Sequence, residues 1–280
     1  MNTFKNCLAL ITGGSSGIGL ALARQLLTEG ARIALLARNL EKLEQAREEL
    51  LKVYPEAELT IWSADVANAP QVTALLTTLM ERQGVPDLLI NSAGMAHPGR
   101  FEELPLEIFD QMIAVNYLGT VYVTKAVVPA MLKRGSGHIV NISSVAGFLN
   151  IYGYTAYGAA KFAVRGFSDA LRMELKPYGI QVSLVFPPDT DTPQLAYENQ
   201  FKPEVTRALA GNAGVLSPDV VAREILRGIR RNAYLILPGF ETKVIYLLAR
   251  LLGAGVNPIL DYLVRRALQR QRANQNLHRI

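Results

Sequence analysis

The chain has 280 residues, 50% of them hydrophobic, enough for one large domain with a filled core or two small ones. One cysteine, Cys7, excludes a disulfide framework and a cysteine-based metal site, and three scattered histidines lack metal-ligand spacing, so no metal is expected. The net charge of +5 sits wholly in residues 240–280, where Lys243, Arg250, Arg265, Arg266, Arg270, Arg272 and Arg279 outnumber Glu241 and Asp261. The balanced remainder excludes a basic nucleic-acid-binding face.

An apolar run of five residues, Cys7 to Ile11, leads straight into glycines and is too short for the core of a secretory leader. The N-terminus is therefore expected to belong to the fold, and the protein to be cytoplasmic. That run reads as a buried strand (7–12). A helix closed by Gly30 follows (17–30), then a strand (32–37), a polar-faced helix (39–54) and a strand (58–64). The next helix (70–84) has Pro at its start and Gly at its end. A strand (87–91) and a long helix (about 107–133) come next, then a strand (137–143), a helix (155–178) and a strand (180–186). A capped helix (217–232) and a short strand (233–237) complete the alternation. Seven strands with helical crossovers predict an α/β fold: a Rossmann-type, doubly wound, seven-stranded parallel sheet with helices on both faces. The strands are uniformly apolar rather than alternating, which fits burial on both sides. Residues 1–239 are expected to form this domain, including a substrate loop at 188–216, with a basic amphipathic helical tail at 240–280.

The first strand-to-helix turn, "ITGGSSGIGLALA", spaces Gly13, Gly17 and Gly19 as G-x-x-x-G-x-G, with Ser15, Ser16 and Ile18 between them. Glycine permits the tight turn and lets the backbone approach a pyrophosphate resting on the helix N-terminus. The second strand ends in "LLARN". An acid is usual here in folds that grip the ribose 2′-hydroxyl of NAD, and Arg38 stands in its place. A guanidinium can hold a 2′-phosphate with paired donors, so the coenzyme reads as NADPH/NADP; the alternative is a solvated surface arginine.

The stretch "YGYTAYGAAK" offers three tyrosines, and only Tyr157 has a lysine, Lys161, one helical turn ahead on the same face. An ammonium there is expected to pull the phenol toward neutrality, making it an acid to a carbonyl or a base to an alcohol. Tyr152 and Tyr154 lack that partner and are expected to line a pocket or pack. Ser144 of "NISSVAG" lies thirteen residues before Tyr157 at the carboxyl end of a strand, where ligands bind in open α/β sheets. "NSAG" (91–94) follows another strand, and "VNYLGT" (115–120) puts Asn116 within the long helix.

Together these motifs resemble the short-chain dehydrogenase/reductase family over residues 5 to about 238. The resemblance implies that Thr12, Gly13, Ser15, Ser16, Gly17, Ile18 and Gly19 form the coenzyme loop and that Asp65 and Val66 meet the adenine. It places Asn91, Ala93 and Gly94 beside the adenine ribose. Asn116, Ser144, Tyr157 and Lys161 are implied as the catalytic tetrad: Ser144 holds the substrate carbonyl, Tyr157 protonates it and Lys161 also binds the nicotinamide ribose. Asn116 bends its helix and holds a proton-relay water. Pro187, Thr190 and Thr192 are implied at the coenzyme, Thr192 at the carboxamide. A homo-oligomer, dimer or tetramer, is expected.

After the sixth strand, "FPPDTDTP" puts Pro188 where the family usually has glycine, predicting a stiffer loop. This run, with "E-N…K-P-E-V-T" after it, resembles the 3-ketodihydrosphingosine reductases within the family, which implies a hydrophobic long-chain ketone as substrate. Steroid, retinoid or 3-oxoacyl reduction is the alternative, and a non-catalytic NADP-binding sensor the remote one. Asp189 and Asp191 fit turn chemistry or a counter-charge for a substrate ammonium. The tail is strongly apolar, but its longest uncharged stretch, Leu251 to Leu260, is half of what spans a bilayer. It reads as a hairpin of short helices broken near Gly253–Pro258. The hairpin either lies peripherally on a membrane through residues 240–272 or packs on the body or a second subunit.

Overall fold

The structure is a computed structural model and describes residues 3–210 and 214–277. Residues 211–213 of the expected substrate loop and 278–280 of the tail, Arg279 among them, lie outside the described residues, as does the side chain of Arg272.

Seven parallel strands form one sheet: β1 (Leu8–Thr12), β2 (Arg32–Ala37), β3 (Leu59–Ser63), β4 (Leu88–Asn91), β5 (Gly137–Ile142), β6 (Ile180–Val185) and β7 (Leu235–Ile236). Their spatial order is β3-β2-β1-β4-β5-β6-β7. The order reverses direction between β1 and β4, so the crevice for a ligand opens beyond the carboxyl ends of those two strands. Helices α1 (Gly17–Thr28), α2 (Leu40–Val53) and α3 (Ala69–Gln83) cross between the first four strands. Side chains alternate across the pleat, so Leu88 and Ile90 face one core and Leu89 the other. The first core holds α1 (Leu22, Leu26) and α2 (Leu43, Leu50). The second holds α3 (Leu76, Leu79). Burial on both faces is why these strands read as continuous apolar runs.

The long helix of the sequence reading is interrupted. Helix α4 (Leu106–Met112) passes into a π-helical turn (Ile113–Leu118) before α5 (Gly119–Arg134), and Asn116 sits inside that turn. A π turn widens the helix by one residue and re-aims the side chains it carries. Helix α6 (Thr155–Leu175) ends in a tight turn at Lys176–Tyr178 instead of running on to 178. The stretch read as a substrate loop contains two helices, α7 (Pro193–Phe201) and α8 (Glu204–Ala210). The Thr192 hydroxyl caps α7 by accepting from the Leu195 amide (3.2 Å), and Pro193 is its first residue. Helix α9 (Pro218–Arg230), capped by Ser217, returns to the first core through Val221, Ile225 and Ile229.

The tail forms α10 (Phe240–Leu252) and α11 (Val256–Leu277), separated at Gly253, whose φ of 52° lies in the left-handed region. The break falls where the sequence predicted it, but α11 has 22 residues and is not short. Phe240–Gln271 contains a stretch with the length and composition of a membrane span: its most apolar 18-residue window has mean hydropathy 1.4 and is not buried. The sequence reading had set the tail below that length because it counted only the uncharged run between Arg250 and Asp261. One face of the tail does pack on the body. Tyr246 meets Phe148 edge-on (5.0 Å between ring centroids) and stacks near Phe186 (6.1 Å), and α11 lies against α8.

Candidate active site

Three strand ends build the floor of the crevice. The Thr12 hydroxyl accepts hydrogen bonds from the amides of Ser92 and Ala93 (both 3.0 Å), locking the end of β1 to the loop after β4. Asn91 donates to Thr124 and to Asn141 (both 2.9 Å), and Asn141 donates to Ser168 (2.9 Å), so a buried polar chain ties β4, β5, α5 and α6 together. Buried hydrogen bonds of this kind favour one arrangement of the elements they join, although the Asn91 Oδ1 has no partner of its own among the described residues.

Above this floor lies a cleft of ≈ 660 Å³, within the usual size of a small-molecule site. One end is lined by Gly13, Ser15, Ser16, Gly17 and Ile18. Gly13 has φ 66°, and a Cβ there would stand 2.8 Å from the Ala93 nitrogen; a Cβ on Gly19 would stand 2.4 Å from the Gly13 carbonyl oxygen. Both positions exclude side chains, which lets backbone line the cleft. Ser16 begins α1 without capping it through its side chain, so the first-turn N–H groups of α1 remain available to an anion. The residues present therefore fit a dinucleotide coenzyme.

Arg38 lies on the rim with Asn39 and Lys42. Its side chain is 77% exposed and reaches Asp65 only at 3.8 Å, leaving it free to turn toward a bound phosphate. Lys42 was missed by the sequence reading. Its signal was a cation in the first turn of α2, where the helix dipole disfavours one. Ala93, Gly94 and Val66 line the cleft, but Gly19, Asp65 and Asn91 do not. Asn91 is spent within the sheet and Gly19 within the turn. Asp65 accepts from the Ala67 amide (2.9 Å).

At the other end Ser144, Tyr157 and Lys161 line the same space. The Lys161 ammonium donates to the Ile142 carbonyl (3.1 Å) and lies 5.6 Å from the Tyr157 ring centre. Burial lowers its pKa to about 8. The Tyr157 phenol is pushed above its ordinary value, first by burial and then by the charge of Glu198, while the nearby Ser144 and Gln194 side chains act the other way. The expectation that Lys161 draws the phenol toward neutrality is not met, because burial disfavours the phenolate and dominates. The phenol is held as an acid. Asn116 does not reach Lys161. Its amide donates to the carbonyls of Met95 (2.9 Å) and Met112 (3.0 Å) and accepts from the Met95 amide (3.1 Å). Gly94 is wedged between them: a Cβ there would stand 2.8 Å from the Asn116 oxygen and 3.4 Å from the Lys161 nitrogen.

Pro187, Thr190 and Thr192 line the cleft opposite the glycine turn, and the Thr192 methyl would stand 3.0 Å from a Cβ on Gly17. Tyr154, beside Tyr157 (5.7 Å between centroids), donates to the buried carboxylate of Glu198 (2.8 Å). Tyr152 does not line the cleft; its carbonyl accepts from Thr206 (2.8 Å). Asp189 forms an ion pair with Lys202 (3.0 Å). The outer wall comes from Leu209 of α8, Ile245 of α10, and Leu260 and Leu263 of α11. The tail is thus part of the site, a role its sequence did not reveal.

The model of the short chain dehydrogenases matches residues 7–203. The chain belongs to the short-chain dehydrogenase/reductase family. Among curated relatives, the "3-ketodihydrosphingosine reductase" of Bos taurus is 43% identical over 221 residues, 78% of this chain and 67% of that one. The protein of the same name from Dictyostelium discoideum is 40% identical over 265 residues, 89% of this chain and 78% of that one. A solved short-chain dehydrogenase/reductase from Burkholderia phymatum, in complex with NAD, superposes with a TM-score of 0.80 at 27% identity, covering 92% of this chain and 96% of that one. The family membership makes the chain an oxidoreductase acting between a ketone and an alcohol.

Proposed function

We propose that the protein reduces 3-ketodihydrosphingosine, or a similar long-chain keto lipid, to the secondary alcohol with NADPH. The observation that carries this reading is the lining of one cleft. A glycine-lined anion site, the group Ser144, Tyr157 and Lys161, and an apolar wall from α8, α10 and α11 all line the same space. The names of the relatives support the substrate. The choice of NADPH rests on Arg38 and Lys42, two cations on the rim where the second strand ends.

In this reading the α1 N-terminus and the glycine turn hold the pyrophosphate and Arg38 and Lys42 the 2′-phosphate. Bound NADPH supplies the hydride. Ser144 and Tyr157 aim two donors at the ketone oxygen, where negative charge develops. The raised pKa of Tyr157 keeps its proton in place until that charge appears. Lys161, lowered to about 8, exchanges a proton near neutral pH and stands behind Tyr157 to restore it. Asn116 acts by holding Met95 and the loop after β4 in place.

The same reading places the tail on a membrane surface. Leu247, Leu248, Leu251 and Phe240 present apolar side chains outward, and Arg265, Arg266 and Arg270 add basic charge on α11. With 13 residues, α10 is ~20 Å long, short of a ~30 Å hydrocarbon core, so it lies at the interface. Oxidation of NADPH across a panel of long-chain, steroid and acyl-thioester ketones tests the substrate class. Preference for a steroid or an acyl thioester over the keto lipid would overturn it.

A further inference from the structure

Glu198 is a buried acid, 7% exposed, on the cleft-facing side of α7. Its carboxylate accepts from the Tyr154 hydroxyl (2.8 Å) and from the Gln194 amide (3.0 Å). Among the described residues no lysine or arginine stands within ion-pair distance of it. Of the buried lysines whose charge is felt at Glu198, Lys202 is committed to Asp189 (3.0 Å) and Lys161 donates to the Ile142 carbonyl (3.1 Å). Burial of a carboxylate without a cation is costly, and it holds the Glu198 carboxyl above its ordinary range. Tyr154, which donates to Glu198, lies beside Tyr157 (5.7 Å between ring centroids), so the acid lies one side chain away from the proton donor.

We infer that Glu198 recognises the ammonium group of a 2-amino ketone whose carbonyl oxygen rests against Tyr157 and Ser144. This rests on the proposed substrate class and names the part of the site that reads its amine. The amine and the ketone sit on adjacent carbons, which matches an acid and a proton donor separated by the single side chain of Tyr154. The alkyl chain then runs toward Leu209, Ile245, Leu260 and Leu263. The sequence offered Asp189 and Asp191 either as turn residues or as the counter-charge. Asp189 is half-exposed and already neutralised by Lys202, and its pairing also keeps Lys202 from repelling an ammonium. Glu198 is left as the acid without an ion-pair partner among the described residues, and a ligand cation would complete the pair in a water-poor site, where charge-assisted bonds are strongest.

The test is a selectivity ratio. The values of kcat/KM are measured for 3-ketodihydrosphingosine and for the same long-chain 3-ketone without the amine, in the unaltered protein, Glu198→Gln, Glu198→Asp and Asp189→Asn. A lost charge-assisted hydrogen bond predicts that Glu198→Gln lowers the amine-to-deamino ratio about 10- to 100-fold, mainly through KM. Glu198→Asp, which keeps the charge, should recover part of it. Equal loss on both ketones would make Glu198 a support for Tyr154 and overturn the inference. So would a drop caused by Asp189→Asn alone. Equilibrium binding of the saturated amino alcohol to the NADP-loaded protein is a second arm, independent of turnover. If neither ketone is reduced but the amino alcohol binds and Glu198→Gln weakens it, the proposed reaction fails and the amine site stands. If binding of the amino alcohol is unaffected by Glu198→Gln, the amine site fails.

Discussion

Lys161 should be a stability liability in the coenzyme-free protein. It is fully enclosed, 5% exposed, and its pKa falls from 10.5 to about 8 because burial disfavours the ammonium. A shift of about 2.5 units corresponds to about 3 kcal/mol at 1.36 kcal/mol per unit. Below pH 8 the side chain is charged in both the folded and unfolded states, and the folded state carries the full penalty. Between pH 8 and 10.5 the folded protein has released the proton while the unfolded chain retains it, so stability rises with pH through that window. Lys161→Met keeps the length of the side chain and removes the charge. It should raise the unfolding free energy by about 3 kcal/mol at pH 7 and by about 1.5 kcal/mol at pH 9.5. The assay is urea denaturation followed by far-ultraviolet circular dichroism, with both proteins at both pH values. Comparing the two proteins cancels groups they share, such as Cys7, whose buried thiol is pushed up to about 12. Equal stability at pH 7, or a difference that does not shrink at pH 9.5, would refute the reasoning. The variant should also lose ketone reduction, since it lacks the proton reserve behind Tyr157.

Three other outcomes are expected. Tyr157→Phe should lower kcat by roughly 10²–10⁴ while leaving the Kd for NADPH nearly unchanged. Tyr154→Phe, which removes only a bond to Glu198, should cost far less; equal losses measured in steady-state kinetics would contradict the assignment. Arg38→Asp should weaken NADPH binding and narrow or reverse its preference over NADH, read by fluorescence titration. Equal affinity of the unaltered protein for both coenzymes would contradict the 2′-phosphate contact. Replacing the outward Leu247, Leu248 and Leu251 by glutamine should reduce co-sedimentation with anionic vesicles without lowering the melting temperature, because none of the three lines the cleft. Unchanged sedimentation would leave the tail only its packing role.

Much of this was legible in the chain. Strands buried on both faces are largely apolar, so β1 and β4 stood out by composition, whereas β5 and β6 carry His138, Asn141, Gln181 and Ser183 among their apolar residues. The glycine spacing at 13–19 and the Tyr157–Lys161 pair are local features whose geometry follows from a turn and a helix face. Features made by tertiary contact were less visible. Glu198 is an ordinary helical acid in "LAYENQF"; its burial arises because α7 folds over the cleft. The π turn at Asn116 is one residue of slack in a hydrogen-bond ladder and leaves no compositional mark. Helix α7 could have been read from Thr192-Pro193, a cap followed by a first-turn proline, but the aspartates before it suggested a loop. The tail was read as separate because its own pattern is amphipathic, and only packing shows that Ile245, Leu260 and Leu263 close the site.

The central claim is that hydride passes from NADPH to the ketone carbon of a long-chain keto lipid under the acid of Tyr157. The most direct measurement uses NADPH deuterated at the transferable position, 3-ketodihydrosphingosine in anionic vesicles, and mass spectrometry of the product. The account predicts one deuterium on the new carbinol carbon with the unaltered protein and almost none with Tyr157→Phe in the same time. No deuterated amino alcohol from the unaltered protein, with NADPH bound, would contradict it.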